Sequence, residues 1–305
     1  MGPWCLVPGW YRASVTLRVG VVILSEQRWE VAGPIWRRAE ELGFDHAWTY
    51  DHLAWSSLRD SPWFAAIPTL VAAATVTTTM RLGTLVASPN FRHPVPFARE
   101  IITLDDITSG RLTLGLGSGG TGWDATILGQ EEWSATERSD RFGEFVTLLD
   151  LLLRQRETSH PGRYYAANEA RTYPGCVQQP RVPFAIAATG RRGMHLAAEQ
   201  AATWVTYGDV SHHGPPLPAA EGAEVVRRQV ARLEEACAAA GRDAALIDRL
   251  VLTGTNLDGG LASPAAFRET KQAYEEAGVT DLVVHWPRPS DPYAGDPSIL
   301  GHLID

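Results

Sequence analysis

Residues 81–120 read RLGTLVASPNFRHPVPFAREIITLDDITSGRLTLGLGSGG. Two short apolar runs, 81–87 and 112–116, lie on either side of a longer segment, 96–107, whose apolar residues recur with helical spacing. A strand, a helix and a second strand in this order form a unit in which the two strands run parallel. The stretch therefore predicts a parallel sheet covered by helices.

The same alternation continues over most of the chain. We predict eight strands, at residues 17–24, 45–49, 81–87, 112–116, 184–188, 202–206, 249–253 and 281–285. Between them we predict seven helices, at residues 32–42, 64–78, 96–107, 137–155, 193–200, 223–240 and 264–277, with a short eighth at 297–303. This count predicts an α/β fold, a (β/α)8 TIM barrel with insertions at its C-terminal face.

A doubly wound open sheet is the alternative fold. It would place a glycine-rich phosphate turn after the first strand, where this chain has Ser-Glu-Gln-Arg-Trp at 25–29. We therefore predict one barrel domain over residues 1–305, with an N-terminal extension at 1–16. An insertion at 158–183, between the fourth and fifth barrel strands, is long enough to cover the barrel mouth.

Charge and cysteine content exclude several classes of partner. With 27 basic and 35 acidic residues the net charge is −8, which disfavours binding to nucleic acid or to an anionic membrane. The three cysteines are odd in number and far apart, and they show neither a disulfide framework nor metal-ligand spacing. We expect a cytoplasmic protein without a metal site.

In a barrel of this kind the active site lies at the carboxyl ends of the strands. Asp51 and His52 follow the second strand and place a carboxylate beside an imidazole that can exchange protons near neutral pH. A pair that merely caps the loop is the structural alternative. Five glycines in 115–122, after the fourth strand, would let a flat or anionic ligand approach the backbone, although a flexible connector has the same composition.

The fifth strand is followed by Thr-Gly-Arg-Arg-Gly at 189–193, which leads directly into a helix. Free N–H groups at a helix N-terminus bind phosphate, and the two arginines add positive charge. An ordinary helix cap with solvated arginines is the alternative. Several of the 11 tryptophans lie near strand ends, where they form either an aromatic wall for a planar ring or part of the core.

Residues 83–94, 104–106, 110–112 and 115–119 resemble the luciferase-like superfamily, and the similarity extends from about residue 18 to about residue 286. This superfamily contains flavin monooxygenases and oxidoreductases that use the deazaflavin coenzyme F420. The resemblance implies a planar cofactor ring over the strand ends, its phosphate at the fifth strand-to-helix turn, and a non-proline cis peptide between Leu85 and Val86. It implies His52 as the catalytic proton donor. The cofactor contacts that it implies are Asp51, Ser88, Ser118, Gly119, Thr189, Gly190, Arg192 and Gly193.

The strings at 88–94 and 117–119 resemble the coenzyme F420 branch more than the alkanesulfonate or aldehyde monooxygenases, although many FMN-dependent members carry similar strings, so F420 is the expected cofactor and FMN the alternative. We expect a reductase that transfers hydride to a C=C or C=N bond of a small or modified-peptide substrate, in a homodimer. An FMN-dependent monooxygenase and a noncatalytic flavin-binding protein are the other readings. Relatives that oxidise a sugar phosphate carry Glu directly after Gly-Ser-Gly; Gly120 stands here, so that activity is not expected.

Overall fold

A computed structural model describes residues 17–304; the predicted extension at 1–16 lies outside the described residues. All eight predicted barrel strands are present, and two further strands form a separate pair. The strands are β1 (Arg18–Val22), β2 (His46–Thr49), β3 (Arg81–Ala87), β4 (Leu112–Leu116), β5 (Glu157–His160), β6 (Ala167–Arg171), β7 (Phe184–Ala187), β8 (Thr203–Thr206), β9 (Asp248–Leu252) and β10 (Asp281–His285). The parallel strands close into a barrel in the order β1-β10-β9-β8-β7-β4-β3-β2, which confirms the TIM barrel.

Helices occupy the intervals between the barrel strands, as the sequence predicts. They are α1 (Trp29–Glu41), α2 (Ala66–Val76), α3 (Pro94–Ile107), α4 (Trp123–Thr126), α5 (Ala135–Arg154), α6 (Arg191–Gln200), α7 (Ala219–Ala239) and α8 (Pro264–Glu276). The short α4 was not predicted, and a 3-10 helix, Pro297–His302, stands where the short eighth helix was expected. Along residues 17–304 no helix combines the length and apolar character needed to cross a membrane.

The barrel interior is packed with large side chains from some strands opposite glycines on their neighbours. The Trp48 side chain is nearly inaccessible to solvent. A β carbon on Gly83 would lie 2.4 Å from the Trp48 ring, and one on Gly20 would lie 2.0 Å from His46 Nδ1. Glycines on β1 and β3 therefore make room for two aromatic rings from β2, which fill the interior as a core rather than leaving a pore.

The amino-terminal end of the barrel is closed by a buried polar network around Asp281. Arg18 donates to both carboxylate oxygens, through Nε and Nη2, at 2.7 Å each. Trp48 Nε1 donates to His46 Nδ1 at 2.7 Å, which leaves the proton on His46 Nε2, 3.0 Å from Asp281 Oδ1. Burial raises the pKa of Asp281, but the hydrogen bonds from His46 and Arg18 outweigh it and hold that pKa well below its usual range.

The insertion at 158–183 packs along α3 and α5, and its predicted cover over the barrel mouth stays a prediction. It forms an antiparallel hairpin, β5 and β6, followed by a return segment to β7. Glu144 on α5 accepts hydrogen bonds from the backbone at the hairpin tip, and Gln178 in the return segment bonds to Asp105 near the end of α3. The insertion begins where α5 has returned to the amino-terminal end of the barrel, and its tip reaches the start of α3, where the ring of Tyr165 lies 5.5 Å from that of His93.

The network around Asp281 predicts a large effect of its removal on stability. Asp281→Asn should lower the free energy of unfolding by about 3 kcal/mol, because it leaves buried donors without their charged acceptor. Since the pKa of Asp281 is lower in the folded state, its contribution is complete above its ordinary value of 3.8 and is lost as the pH falls below it. Chemical denaturation at several pH values measures both effects.

Glu41→Gln is the matched control, because the Glu41 carboxylate forms an exposed ion pair with Arg38 at 3.3 Å. We expect this variant to stay within about 0.5 kcal/mol of the parent protein. Equal losses in the two variants, or an Asp281→Asn stability curve that remains as steep as the parent curve between pH 4 and pH 2, would contradict the role of the network.

Candidate active site

The loops after β2 and β4 meet at the barrel mouth and bring His52 to Asp124. His52 Nδ1 lies 3.3 Å from Asp124 Oδ2, with the His52 side chain 29% exposed and that of Asp124 12% exposed. Asp124 Oδ1 accepts hydrogen bonds from the backbone of Leu53 at 2.8 Å and of Ala54 at 3.3 Å. The carboxylate therefore both faces the imidazole and holds the loop that carries it.

The sequence pointed to Asp51 as the carboxylate beside this histidine, and that pairing is wrong. Asp51 is buried and accepts from Arg92 Nε at 2.6 Å and from Arg92 Nη2 at 2.8 Å. Arg92 also reaches Glu100 on α3 at 2.9 Å. Burial lowers the pKa of Arg92, but the hydrogen bonds and charge of Asp51 outweigh it and raise that pKa. Both Asp51 oxygens are thus engaged in tying the end of β2 to the loop after β3.

The charge on Asp124 is stabilised by its surroundings. Burial raises its pKa, whereas the imidazole of His52, 3.3 Å away, and the two backbone amides lower it, and the net shift is downward. An ionised carboxylate at His52 Nδ1 lies where it can balance a positive charge on the ring. Because Nδ1 faces Asp124, Nε2 is the ring atom left to exchange a proton with a ligand.

β4 is lined with glycine where it runs beside the end of β3. A β carbon on Gly115 would lie 1.9 Å from the Thr84 carbonyl oxygen, and one on Gly117 would lie 2.5 Å from Val86 Cγ2. The Leu85–Val86 peptide bond is cis, which confirms the prediction, and the register between β3 and β4 shifts at this point. The β4 backbone and the Val86 side chain, which lies against both glycines, form a floor without projecting β4 side chains that a flat ligand could approach.

Ser88, Ser118 and Gly119 lie around this floor together with Asn90, which the sequence prediction did not include. Ser88 is buried, and its Oγ accepts from the Asn90 amide at 3.4 Å. Gly119 has φ +80°, and a β carbon there would lie 2.2 Å from Asn90 Oδ1. That oxygen is buried and finds no hydrogen-bond donor among residues 17–304. A buried amide oxygen without a donor is a costly arrangement, and it marks a place where a ligand could donate.

Thr189 and Gly190 form the turn between β7 and α6, with Gly190 as the residue that begins the helix. Within residues 17–304 no side chain caps the first turn of α6, so its backbone N–H groups are open to a ligand. Gly193 brings this turn against the barrel, since a β carbon there would lie 2.9 Å from Ala188 Cβ. Three of the four residues predicted for an anion site, Thr189, Gly190 and Gly193, thus lie together in one turn.

Arg192, the fourth, lies on the first turn of α6 but points toward α5. Its Nη1 is 2.7 Å from Asp140 Oδ1, and 65% of its side chain is exposed. An exposed ion pair of this kind is weak, so the guanidinium can exchange Asp140 for a stronger anion. Arg192 therefore lies beside the turn, where an exposed ion pair with Asp140 holds its side chain.

The aromatic residues near the strand ends divide between core and mouth. Trp48 and Trp204 are buried core residues. Trp55 and Trp63 lie at the mouth with their ring centroids 6.0 Å apart, and Trp63 Nε1 donates to the His52 carbonyl oxygen at 2.9 Å. An aromatic wall is therefore present, but it is built by two loop tryptophans rather than by those within the strands.

A family model described as luciferase-like monooxygenase matches residues 15–283. The match covers the barrel strands β1 to β10 almost completely, together with the loops that carry His52 and Asp124. The chain belongs to the luciferase-like monooxygenase family.

Curated relatives are similar over part of the chain. An F420-dependent glucose-6-phosphate dehydrogenase of Microbacterium testaceum is 33% identical over 176 residues, which are 55% of this chain and 49% of that protein. An F420-dependent hydroxymycolic acid dehydrogenase of Mycobacterium tuberculosis is 30% identical over 195 residues, 61% of this chain and 52% of that protein. The matched region spans about half the length of these relatives.

Among solved structures, the coenzyme F420-dependent tetrahydromethanopterin reductase of Methanopyrus kandleri superposes with a TM-score of 0.73. Its sequence is 18% identical, and the superposition covers 95% of this chain and 97% of the other. At that identity the similarity shows the fold alone, and it covers nearly the whole chain.

The His52–Asp124 contact predicts a change that does not depend on any ligand. In a His52→Gln variant the pKa of Asp124 should rise toward its ordinary value of 3.8, because the imidazole no longer stabilises the carboxylate. Carboxyl-carbon NMR of selectively labelled aspartate measures this. Asp209, whose pKa is lowered by Ser211, is an internal control that should not move. An unchanged Asp124 titration would mean that its backbone amides alone set the pKa.

Proposed function

We propose that the protein is a coenzyme F420-dependent oxidoreductase and acts as a reductase on a C=C or C=N bond. The observation that carries this proposal is the glycine-lined floor of β4 with the His52–Asp124 pair at its edge. A planar ring needs the flat floor, and protonation of a substrate next to that ring needs the His52–Asp124 pair. The F420-dependent relatives support the choice of cofactor.

The residues at the mouth fit the chemical character of F420. The floor at Gly115 and Gly117 has no β4 side chain to obstruct a flat ring, which would rest on the Val86 side chain that lies against both glycines. Asn90 Oδ1 is a buried acceptor that receives no donor from the described part of the chain, and a ring N–H would satisfy it. The open N-terminus of α6, with Thr189 and Gly190, would hold the phosphate. We propose Ser88, Ser118, Gly119 and Gly193 as residues that shape these two contacts, with Asp51 positioning the neighbouring loop.

When bound in its reduced form, F420 supplies a hydride. His52 Nε2 holds the proton that the substrate takes up, so a C=C acceptor gains a hydride on one carbon and a proton on the other. Asp124 keeps Nδ1 directed away from the substrate and balances the charge on the protonated ring. Trp55 and Trp63 exclude water from this side of the mouth. The chain therefore orients the reactants and handles the proton.

The residue at position 120 separates this proposal from sugar-phosphate oxidation. Gly120 is exposed, and a β carbon there would meet nothing within 4 Å, so the position offers space but no carboxylate. The acid nearest to His52 among the contacts described is Asp124, which is already engaged. We propose an unsaturated small molecule or modified peptide as substrate, and glucose 6-phosphate belongs in the test panel as the competing substrate.

Side-by-side fluorescence titration with F420 and FMN tests the cofactor assignment. We expect F420 to bind more tightly than FMN, followed by oxidation of reduced F420 when an enone or imine is added. Binding of FMN alone, with FMN-dependent oxygen consumption, would favour the monooxygenase reading. Tight F420 binding without turnover over a broad panel of acceptors would favour a noncatalytic binding protein. Homodimer formation stays a prediction, which light scattering would check.

His52 should be needed for turnover and not for cofactor binding. Replacing His52 with Ala removes the proton donor, and general acids of this kind contribute about 10²- to 10⁴-fold to rate. We therefore expect kcat to fall by at least about a hundredfold while the Kd for F420 changes little. Stopped-flow oxidation of reduced F420 gives the first quantity and fluorescence titration the second. An unaltered kcat would remove His52 from the mechanism.

Arg192 should contribute modestly to cofactor affinity. Arg192→Ala removes a charge-assisted phosphate contact, which is worth about 1 to 3 kcal/mol, and the lower end is expected here because the guanidinium must first leave Asp140. The measurement is the Kd for F420 by titration. Arg227→Ala, on α7 and paired with Glu224, is the matched control and should bind like the parent protein. Equal Kd values in both variants would show that the α6 amides suffice.

A further inference from the structure

The loop after β10, residues 286–296, is clamped onto the barrel mouth by a buried ion pair. Arg288 donates to both carboxylate oxygens of Glu26 at 2.6 and 2.7 Å, and the two side chains are only 9% and 12% exposed. Arg288 also donates to the carbonyl oxygens of Ser290 and Pro292 at 3.0 and 2.8 Å. One side chain thus fixes both the position of the loop and its internal path.

Tyr293, near the end of this loop, has a backbone conformation that tyrosine rarely adopts. Its φ is +69°, in the left-handed region that favours glycine. Such a conformation is strained for a residue with a side chain and persists where the surrounding contacts over-determine it. A glycine or asparagine at 293 would build the same turn at lower cost. The aromatic side chain therefore requires its own explanation.

The ring of Tyr293 lies parallel to two other rings at the mouth. Its centroid is 3.5 Å from that of His285, with 13° between the planes, and 6.0 Å from that of Trp55, with 10° between the planes. Its hydroxyl lies 3.0 Å from Thr255 Oγ1 and 3.4 Å from the Tyr50 hydroxyl. Tyr293 is thereby fixed in both position and orientation, with Trp55 alongside.

His285 supports Tyr293 as an uncharged ring. Burial lowers the pKa of His285 to about 3, and its Nε2 lies 2.6 Å from the Tyr50 hydroxyl. Burial also raises the pKa of Tyr50 well above its usual value, so both groups are neutral at pH 7. The stack under Tyr293 therefore gives a rigid neutral wall and does not supply a second acid for the reaction.

This wall borders the same space as the proposed proton donor. Trp55 lies three residues after His52 on one loop, and the ring of Tyr50 lies 6.1 Å from that of His52. Trp55 also contacts Trp63, which donates to the His52 carbonyl oxygen. Trp55 therefore connects Tyr293 to the loop that carries His52.

We propose that Tyr293 is a specificity-determining residue, which closes the acceptor site beside Trp55 and restricts it to small, planar unsaturated substrates. The inference rests on the proposed function, because it takes His52 as the point where the substrate is protonated. Neither the clamp nor the strained backbone at Tyr293 is needed for that proton transfer. Both are explained if the loop must hold a ring at a fixed distance from Trp55.

Two variants separate the ring from the backbone. Tyr293→Gly removes the ring at a position where glycine adopts the same φ without strain, and Tyr293→Phe keeps the ring and removes the hydroxyl contacts. The probes are two enones of different size, cyclohex-2-enone and 4-phenylbut-3-en-2-one. Reduction adds hydride to the β carbon and a proton to the α carbon, and reduced F420 becomes oxidised. We measure kcat/KM for each enone, and also its Kd for the cofactor-free protein by tryptophan fluorescence.

In the parent protein and in Tyr293→Phe we expect a preference for the smaller enone. Tyr293→Gly should shift the ratio of the two enones at least tenfold toward the larger one, in kcat/KM and in Kd, with cooperative thermal unfolding retained and an unchanged Kd for F420. A ratio within twofold of the parent value in Tyr293→Gly would overturn the inference, as would failure of both enones to bind the parent protein. A shifted Kd ratio without any F420-dependent turnover would support the wall and contradict the proposed function.

Discussion

Strands β3 and β4 approach each other so closely that β4 has no room for side chains along this edge. A β carbon at Gly115 would come within 1.9 Å of the Thr84 carbonyl oxygen, and the next inward position, Gly117, faces Val86 just after the cis peptide. This approach produces the flat backbone floor. It also directs the chain into the glycine-rich loop that leads to α4, and thus delivers Asp124 to His52. The position of Asp124 beside His52 therefore depends on the path that the chain takes after β4.

The barrel could be predicted because each of its strands is a short apolar run between helical patterns. All eight strands appear within a few residues of their predicted limits, since parallel strands buried on both faces carry continuous apolar sequence. The short α4 escaped prediction because four residues are too few to show a helical period. The path of the β5–β6 hairpin escaped prediction for another reason: the length of the insertion was visible in the sequence, whereas its path along α5 depends on contacts such as that of Glu144 with the hairpin tip.

The residues of the candidate site could be predicted better than their partners. Strand ends and glycine composition located His52, Gly119 and the turn before α6, because those signals are local in sequence. The acid beside His52 was assigned to its neighbour, Asp51, whereas successive residues in a loop point in different directions and Asp51 turns toward Arg92. Asp124 follows a stretch of glycines, and glycines give no sequence pattern from which the path of the loop, and so the position of Asp124, could be predicted. Only the three-dimensional contact identifies it.

The network of Arg18, His46 and Asp281 and the mouth with its loops occupy opposite ends of the same strands. One end is a set of saturated hydrogen bonds that anchors the strands, and the other is a set of loops held by a few side-chain clamps. Substitutions can therefore accumulate in the loops at the mouth without breaking the hydrogen bonds around Asp281 at the opposite end. For protein engineering, this makes the chain a scaffold on which mouth loops can be exchanged as cassettes, with thermal tolerance inherited from the opposite end of the barrel.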